Sequence, residues 1–210
     1  DGSSAEKAVI WNAEDIAAVD FDKEGTYVVN GTVKQISDQT DENYPFLLGR
    51  ADPNITEYNG KYYFVATTEG ENGIYIRESD TVTGINKSEQ SLIYDEAKGA
   101  EYGYITPTNH WAPELHVLGG ELYLFFSANI GTGFNVQSML MKLTGDDPTD
   151  YNDWGDLRQF LNKDGDNLTE PYGGITLDMT QFTYGGKDYV AWSQRNFGKN
   201  GGTADIWIGQ

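Results

Sequence analysis

The chain has 210 residues, with 33 acidic and 14 basic side chains for a net charge of −19, 25 glycines and no cysteine. A surface this acidic repels phosphate backbones and anionic lipid, which excludes nucleic acid and membrane surfaces as partners. Without cysteine there is neither a disulfide scaffold nor a thiolate metal site, and no apolar run approaches the ~18 residues of a membrane span.

At the N-terminus, Asp1 to Glu6 has neither the basic nor the apolar region of a secretory leader, so no signal peptide is expected within this chain. Val9-Ile10-Trp11 reads as a short strand, Ala13 to Ala18 as a small helix or loop, and Gly25 to Val33 as extended chain. Polar residues from Lys34 to Asn43 read as a connector. The expected division is therefore 1–43, a partial β segment, and 44–210, the main domain. The ending Gly25-Thr26-Tyr27-Val28-Val29-Asn30-Gly31-Thr32-Val33 resembles the C-terminal half of a bacterial Ig-like domain. Two or three strands cannot bury a core alone, so this segment needs a neighbour to pack on.

Beyond the connector the chain repeats itself. Gly60-Lys61-Tyr62-Tyr63 recurs as Gly120-Glu121-Leu122-Tyr123 and as Gly186-Lys187-Asp188-Tyr189, at spacings of 60 and 66 residues. Each Gly-x-x-Tyr lies between two short apolar runs, the pattern of a hairpin closed by a tight turn. A further run follows in each unit: Ile74 to Arg77, Gln137 to Met141 and Asp205 to Ile208. Three antiparallel strands per unit, repeated, predict an all-β fold of the β-propeller type. A β-sandwich is the alternative, but it does not call for one motif three times. Propellers have 4–8 blades, so three are expected to be part of a larger assembly.

Aligned on their glycines, the repeats place Asp52, Ala112 and Asp178 at one position, eight residues upstream. In a propeller the first strand of each blade lines the central channel, so Asp52 and Asp178 converge there. Two carboxylates in an aromatic-lined pocket suit hydrolysis of a glycosidic bond. The alternative is that each aspartate caps a turn.

Three motifs carry a more specific resemblance: Arg50-Ala51-Asp52-Pro53-Asn54-Ile55, His110-Trp111-Ala112-Pro113-Glu114-Leu115-His116, and Thr176-Leu177-Asp178-Met179-Thr180-Gln181-Phe182. In this order and near this spacing, from about Tyr44 to Gln210, they resemble family 43 glycoside hydrolases. The resemblance implies a five-bladed propeller, of which the chain supplies about three blades. It also implies an inverting enzyme acting on arabinose- or xylose-containing plant polysaccharide. Asp52 then matches the general base, and Asp178 the aspartate that tunes and holds the general acid. The family's acid is a glutamate in the fourth blade. Glu170 precedes the third motif and does not match it, and Glu114 matches a structural or substrate-lining position. A second polypeptide carrying the remaining blades and the acid is therefore expected.

Arg50, His110 and Trp111 are candidate substrate contacts: Arg50 beside the base, His110 and Trp111 just before the channel position. His116 reads as a structural histidine. Asp164-Gly165-Asp166-Asn167 does not complete a calcium loop, so no metal ligand is assigned and no cofactor is required. The resemblance nonetheless allows a calcium ion in the channel, held by a late-blade histidine. The expected activity is α-L-arabinofuranosidase, with endo-arabinanase, β-xylosidase or a non-catalytic carbohydrate-binding propeller as alternatives. The expected location is secreted or on a bacterial cell surface, with the cytoplasm left open.

Overall fold

The three Gly-x-x-Tyr motifs close hairpins through a two-residue turn. Asn59-Gly60, Gly119-Gly120 and Gly185-Gly186 all have positive φ, between 50° and 86°. This turn matches the twist of antiparallel strands and disfavours most side chains, which accounts for Asn and Gly there. The computed structural model describes residues 9–33, 46–70, 72–199 and 203–210. The expected connector at Lys34 to Asn43 lies outside them. The chain forms two compact units, Asp1–Phe46 and Leu47–Gln210.

In the first unit, β1 (Val9–Trp11) pairs antiparallel with β2 (Gly31–Val33), Val9 standing opposite Val33. Helix α1 (Ala13–Ala17) starts on Asn12, whose side chain accepts the N–H groups of Glu14 and Asp15 and so caps two free donors. The strand expected from Gly25 onward is confined to its last three residues, because β1 offers only three partners before Asn12 turns the chain into the helix.

The second unit holds three antiparallel sheets in succession. The first is β3 (Arg50–Tyr58), β4 (Lys61–Thr68), β5 (Ile74–Ser79) and β6 (Gln90–Tyr94), followed by the short helix α2 (Glu96–Glu101). The second is β7 (Trp111–Leu118), β8 (Glu121–Asn129), β9 (Val136–Leu143) and β10 (Trp154–Gln159). The third is β11 (Gly174–Tyr184), β12 (Lys187–Asn196) and β13 (Ala204–Gly209). Each sheet is a meander and none exchanges strands with another, unlike a sandwich. Three strands per repeat holds only for the third sheet; β6 and β10 are additions. They escape a motif search because no hairpin glycine precedes them. A 3₁₀ turn at Val82–Lys87, capped by Thr81, leads to β6. The loop before β10 is folded on Asp153, which accepts the N–H groups of Asp146 and Asp147.

The first strands of the sheets lie together, β7 against both β3 and β11. Between the first two sheets sits the main core: Val65, Ile74, Ile76 and Ile93 from one side, Leu122, Leu124, Phe126, Met139, Met141 and Trp154 from the other. Phe125 points the opposite way, into a smaller cluster with Met179 and Trp192 of the third sheet. β8 is thus covered on both faces, which explains its near-continuous apolar run in place of alternation. Each such fully buried side chain contributes roughly 1.5–3 kcal/mol.

Polar stitches join sheet to sheet. The Leu115 N–H donates to Asn54 Oδ1 at 3.0 Å, and the Thr56 hydroxyl donates to the Leu115 carbonyl at 2.8 Å. Farther round, the Ser138 N–H donates to Thr176 Oγ1 at 2.8 Å, and Gln137 Nε2 donates to the Gly174 carbonyl at 3.0 Å.

Candidate active site

Each first strand carries a bulge at the same step of the repeat. On β3, Ala51 faces Thr67 and Asn54 faces Val65, so Asp52 and Pro53 together oppose Ala66. On β7, Ala112 and Pro113 oppose Phe126, and on β11, Asp178 and Met179 oppose Trp192. The first bulged residue is left-handed every time: φ is 52° at Asp52, 45° at Ala112 and 55° at Asp178. Outside glycine that conformation costs roughly 1–2 kcal/mol and persists only where the surroundings enforce it. A bulge interrupts the ladder and re-aims the side chain, which suits residues that must leave the sheet plane. Proline as the second bulged residue at positions 53 and 113 fits, since no ladder bond is asked of it there.

The bulges bring carboxylates together. Thr67 Oγ1 donates to Asp52 Oδ2 at 2.6 Å, and the Ser193 hydroxyl donates to Asp178. Both aspartates are exposed in this chain. Burial of its flanks, then the negative charges of Asp52 and Glu114, push the Asp178 carboxyl above the ordinary aspartate range. Glu114, two residues past the β7 bulge, is a third carboxylate here. Burial acts to raise it, but hydrogen bonds from His116 and Thr180 outweigh burial and hold it below the usual range. His116 Nε2 lies 3.0 Å from its Oε2.

The other candidate residues are arranged differently. The Arg50 guanidinium donates to Gln90 Oε1 at 2.5 Å and to the Gly49 carbonyl at 2.9 Å, so its bonds run along the sheet and not to its sequence neighbour Asp52. His110 is 5 % exposed. Its Nε2–H donates to the Thr106 carbonyl at 2.8 Å, its ring meets Tyr94 edge-on at 5.1 Å, and burial lowers its pKa. Trp111, the residue before the β7 bulge, is half-buried. Among the described residues no three of Asp, Glu and His are disposed to hold a metal ion.

A family description, Glycosyl hydrolases family 43, matches residues 42–210. The chain belongs to that family. Residues 1–36 match a bacterial Ig-like domain of group 4. Among curated relatives of this family 43 chain, alpha-L-arabinofuranosidase B of Pyricularia oryzae is 32% identical over 166 residues, spanning 77% of this chain and 32% of that protein. An extracellular exo-alpha-(1->5)-L-arabinofuranosidase of Streptomyces chartreusis is 28% identical over 161 residues, covering 76% of this chain and 45% of the relative. The crystal structure of an alpha-L-arabinofuranosidase from Lactobacillus brevis superposes with a TM-score of 0.63 at 27% identity, covering 79% of this chain and 50% of that one. The chain thus spans a third to a half of the proteins it is similar to.

Thr67, Ser193 and Thr180, which hold the three carboxylates, have no role in the motif reading of this family 43 domain, although Thr180 stands within the third motif. A signal for the first two was present. Thr67, Ser127 and Ser193 each stand seven residues after a repeat glycine, directly across the ladder from the residue before the bulge.

The raised carboxyl of Asp178 has a stability consequence. Its folded pKa lies above the unfolded value, so the ionised form is disfavoured in the fold. Stability is then lost as pH rises from the unfolded pKa through the folded one. Asp178→Asn removes that cost at neutral pH. Thermal melting is expected to give an upward Tm shift of about 1–3 °C at pH 7, small because the group is solvent-screened. The shift should vanish well below the ordinary aspartate pKa of about 3.9, where both side chains are neutral; a gain that persists there would refute the charge argument.

Proposed function

We propose that this chain carries the base-bearing part of an inverting α-L-arabinofuranosidase acting on arabinose-containing plant polysaccharide. The observation that carries the reading is the pair Asp52 and Asp178, set at equivalent left-handed bulges of the first and third sheets and electrostatically coupled. In this reading the sheets are three of five propeller blades, and the first strands line the channel.

Asp52 is the general base. Its carboxylate takes a proton from water as that water attacks the anomeric carbon from the face opposite the leaving group. Such single displacement needs about 6.5–9.5 Å between base and acid to admit the water. Asp178 stands near the acid, where its negative charge disfavours ionisation of a neighbouring glutamic acid and keeps it protonated for donation. Trp111, with its ring partly open, offers an apolar face to the sugar. The hydrogen bonds of Arg50 and the burial of His110 support framework roles for those two in positioning the rim. No cofactor takes part in these steps.

The acid, on this proposal, is a glutamate on a further part of the enzyme, within the same protein or on a second polypeptide. Ile206 and Ile208 of β13, 72% and 63% exposed, support a further blade packing on the third sheet. The arabinose assignment rests on the named activities of the relatives. An extracellular place of action follows the Streptomyces relative in the same way.

The test is turnover by the complete enzyme of p-nitrophenyl α-L-arabinofuranoside against the β-D-xyloside, with the first-formed sugar followed by proton NMR. Arabinofuranoside hydrolysis with the β-anomer appearing first is expected. A first-formed α-anomer overturns the single displacement, and hydrolysis of the xyloside alone overturns the substrate assignment.

A further inference from the structure

We propose that Thr67 is the positioning residue for Asp52, and that it takes its own orientation from the backbone of the second sheet. The inference rests on the general-base reading of Asp52. The Ala112 N–H donates to Thr67 Oγ1 at 2.7 Å, and Thr67 Oγ1 lies 2.6 Å from Asp52 Oδ2. A hydroxyl has one proton. With a lone pair of Thr67 held by the amide, that proton is directed at the carboxylate, and the short distance is that of a charge-assisted bond. Oδ2 is thereby engaged and the carboxylate plane fixed, so Oδ1 is the oxygen presented to the attacking water. The chain of bonds crosses from the second sheet to the first, so the base is oriented by both.

An independent observation comes from the second sheet. Its bulged residue is alanine, which has no carboxylate to aim, yet Ala112 keeps the left-handed backbone at φ 45°. That conformation turns its N–H toward Thr67, which gives the strained alanine a purpose. The partner across the ladder, Ser127, occupies the place that Thr67 and Ser193 hold in the other two sheets. Ser127 is buried, and its Oγ has no hydrogen-bond partner. The hydroxyl at this step is therefore a carboxylate holder: it is engaged where an aspartate stands on the bulge and idle where one does not.

Thr67→Val removes the hydroxyl at nearly constant shape, and Thr67→Ser keeps it. In the complete enzyme Thr67→Val is expected to lower kcat about 10- to 100-fold through a misaligned base, with KM changed less than twofold. Thr67→Ser should recover most of that loss, and Thr67→Ala serves as the second hydroxyl-free variant if valine impairs folding. Amide hydrogen exchange should accelerate at Ala112 in Thr67→Val and not in Thr67→Ser. Wild-type kcat in the hydroxyl-free variants, or a loss in Thr67→Ser equal to that in Thr67→Val, overturns the proposal. Wild-type turnover in Asp52→Asn would instead remove the base assignment, and the Ala112 exchange rates would still decide whether the bond relay exists.

Discussion

Asp52→Asn is expected to lower kcat by roughly 10²–10⁴-fold, the range that a general base contributes, while leaving substrate affinity nearly intact. Asparagine keeps the side-chain oxygen that Thr67 Oγ1 meets at 2.6 Å, so the bulge and its hydrogen bond are preserved and only the proton acceptor is lost. Steady-state kinetics of the complete enzyme, paired with calorimetric binding of an arabino-oligosaccharide, separates chemistry from recognition. A variant that binds as before and no longer turns over supports the base role. Turnover within twofold of wild type would leave a carbohydrate-binding propeller as the better reading.

The second large effect is structural. Gly174 opens β11 at φ 151°, and a Cβ built on it would stand 1.8 Å from the Arg195 carbonyl oxygen. No side-chain rotation relieves a clash with backbone. Its own carbonyl also accepts Gln137 Nε2, so any shift of the strand start breaks a stitch to the second sheet. Gly174→Ala is expected to cost about 3 kcal/mol or more, a Tm decrease of about 6–12 °C for a domain of this size. Gly60→Ala is the control: φ there is 79°, but the added methyl meets nothing within 4 Å. Only the conformational cost of about 1 kcal/mol remains at that position. Equal Tm losses in the two variants would sink the steric argument.

The sequence disclosed the register of this site more readily than its contents. The hairpin glycines need positive φ, so they are visible, and counting eight back from each lands on Asp52, Ala112 and Asp178. Counting seven forward lands on Thr67, Ser127 and Ser193, but a hydroxyl on a strand has no chemical signature until the bulge opposite it is known. Arg50 has a partner that local pattern does not show. Adjacency along the chain suggested contact with Asp52, whereas the bulge turns the aspartate out of the ladder and Arg50 reaches Gln90. His110 is a candidate sugar contact by its place, with Trp111, just before the second bulge. The edge-on packing with Tyr94 that buries it joins residues 16 apart, which local pattern cannot reveal. The outer strands β6 and β10 escape for a related reason, since the connections into them, which hold Gly84 and Gly145, lack the positive-φ hairpin glycine of the repeat.

Ala112 also bears on how many like charges gather at the three bulges. Repeated units carry equivalent positions, and an aspartate at all three bulges would put a like charge on each first strand. Asp178 already feels the negative charges of Asp52 and Glu114. Broken symmetry relieves the crowding: one copy gives up its carboxylate and keeps only the backbone donor, while Glu114 sits two residues farther along beside His116. Duplication alone would make the three bulges alike, and the alanine at the second makes them unlike in charge.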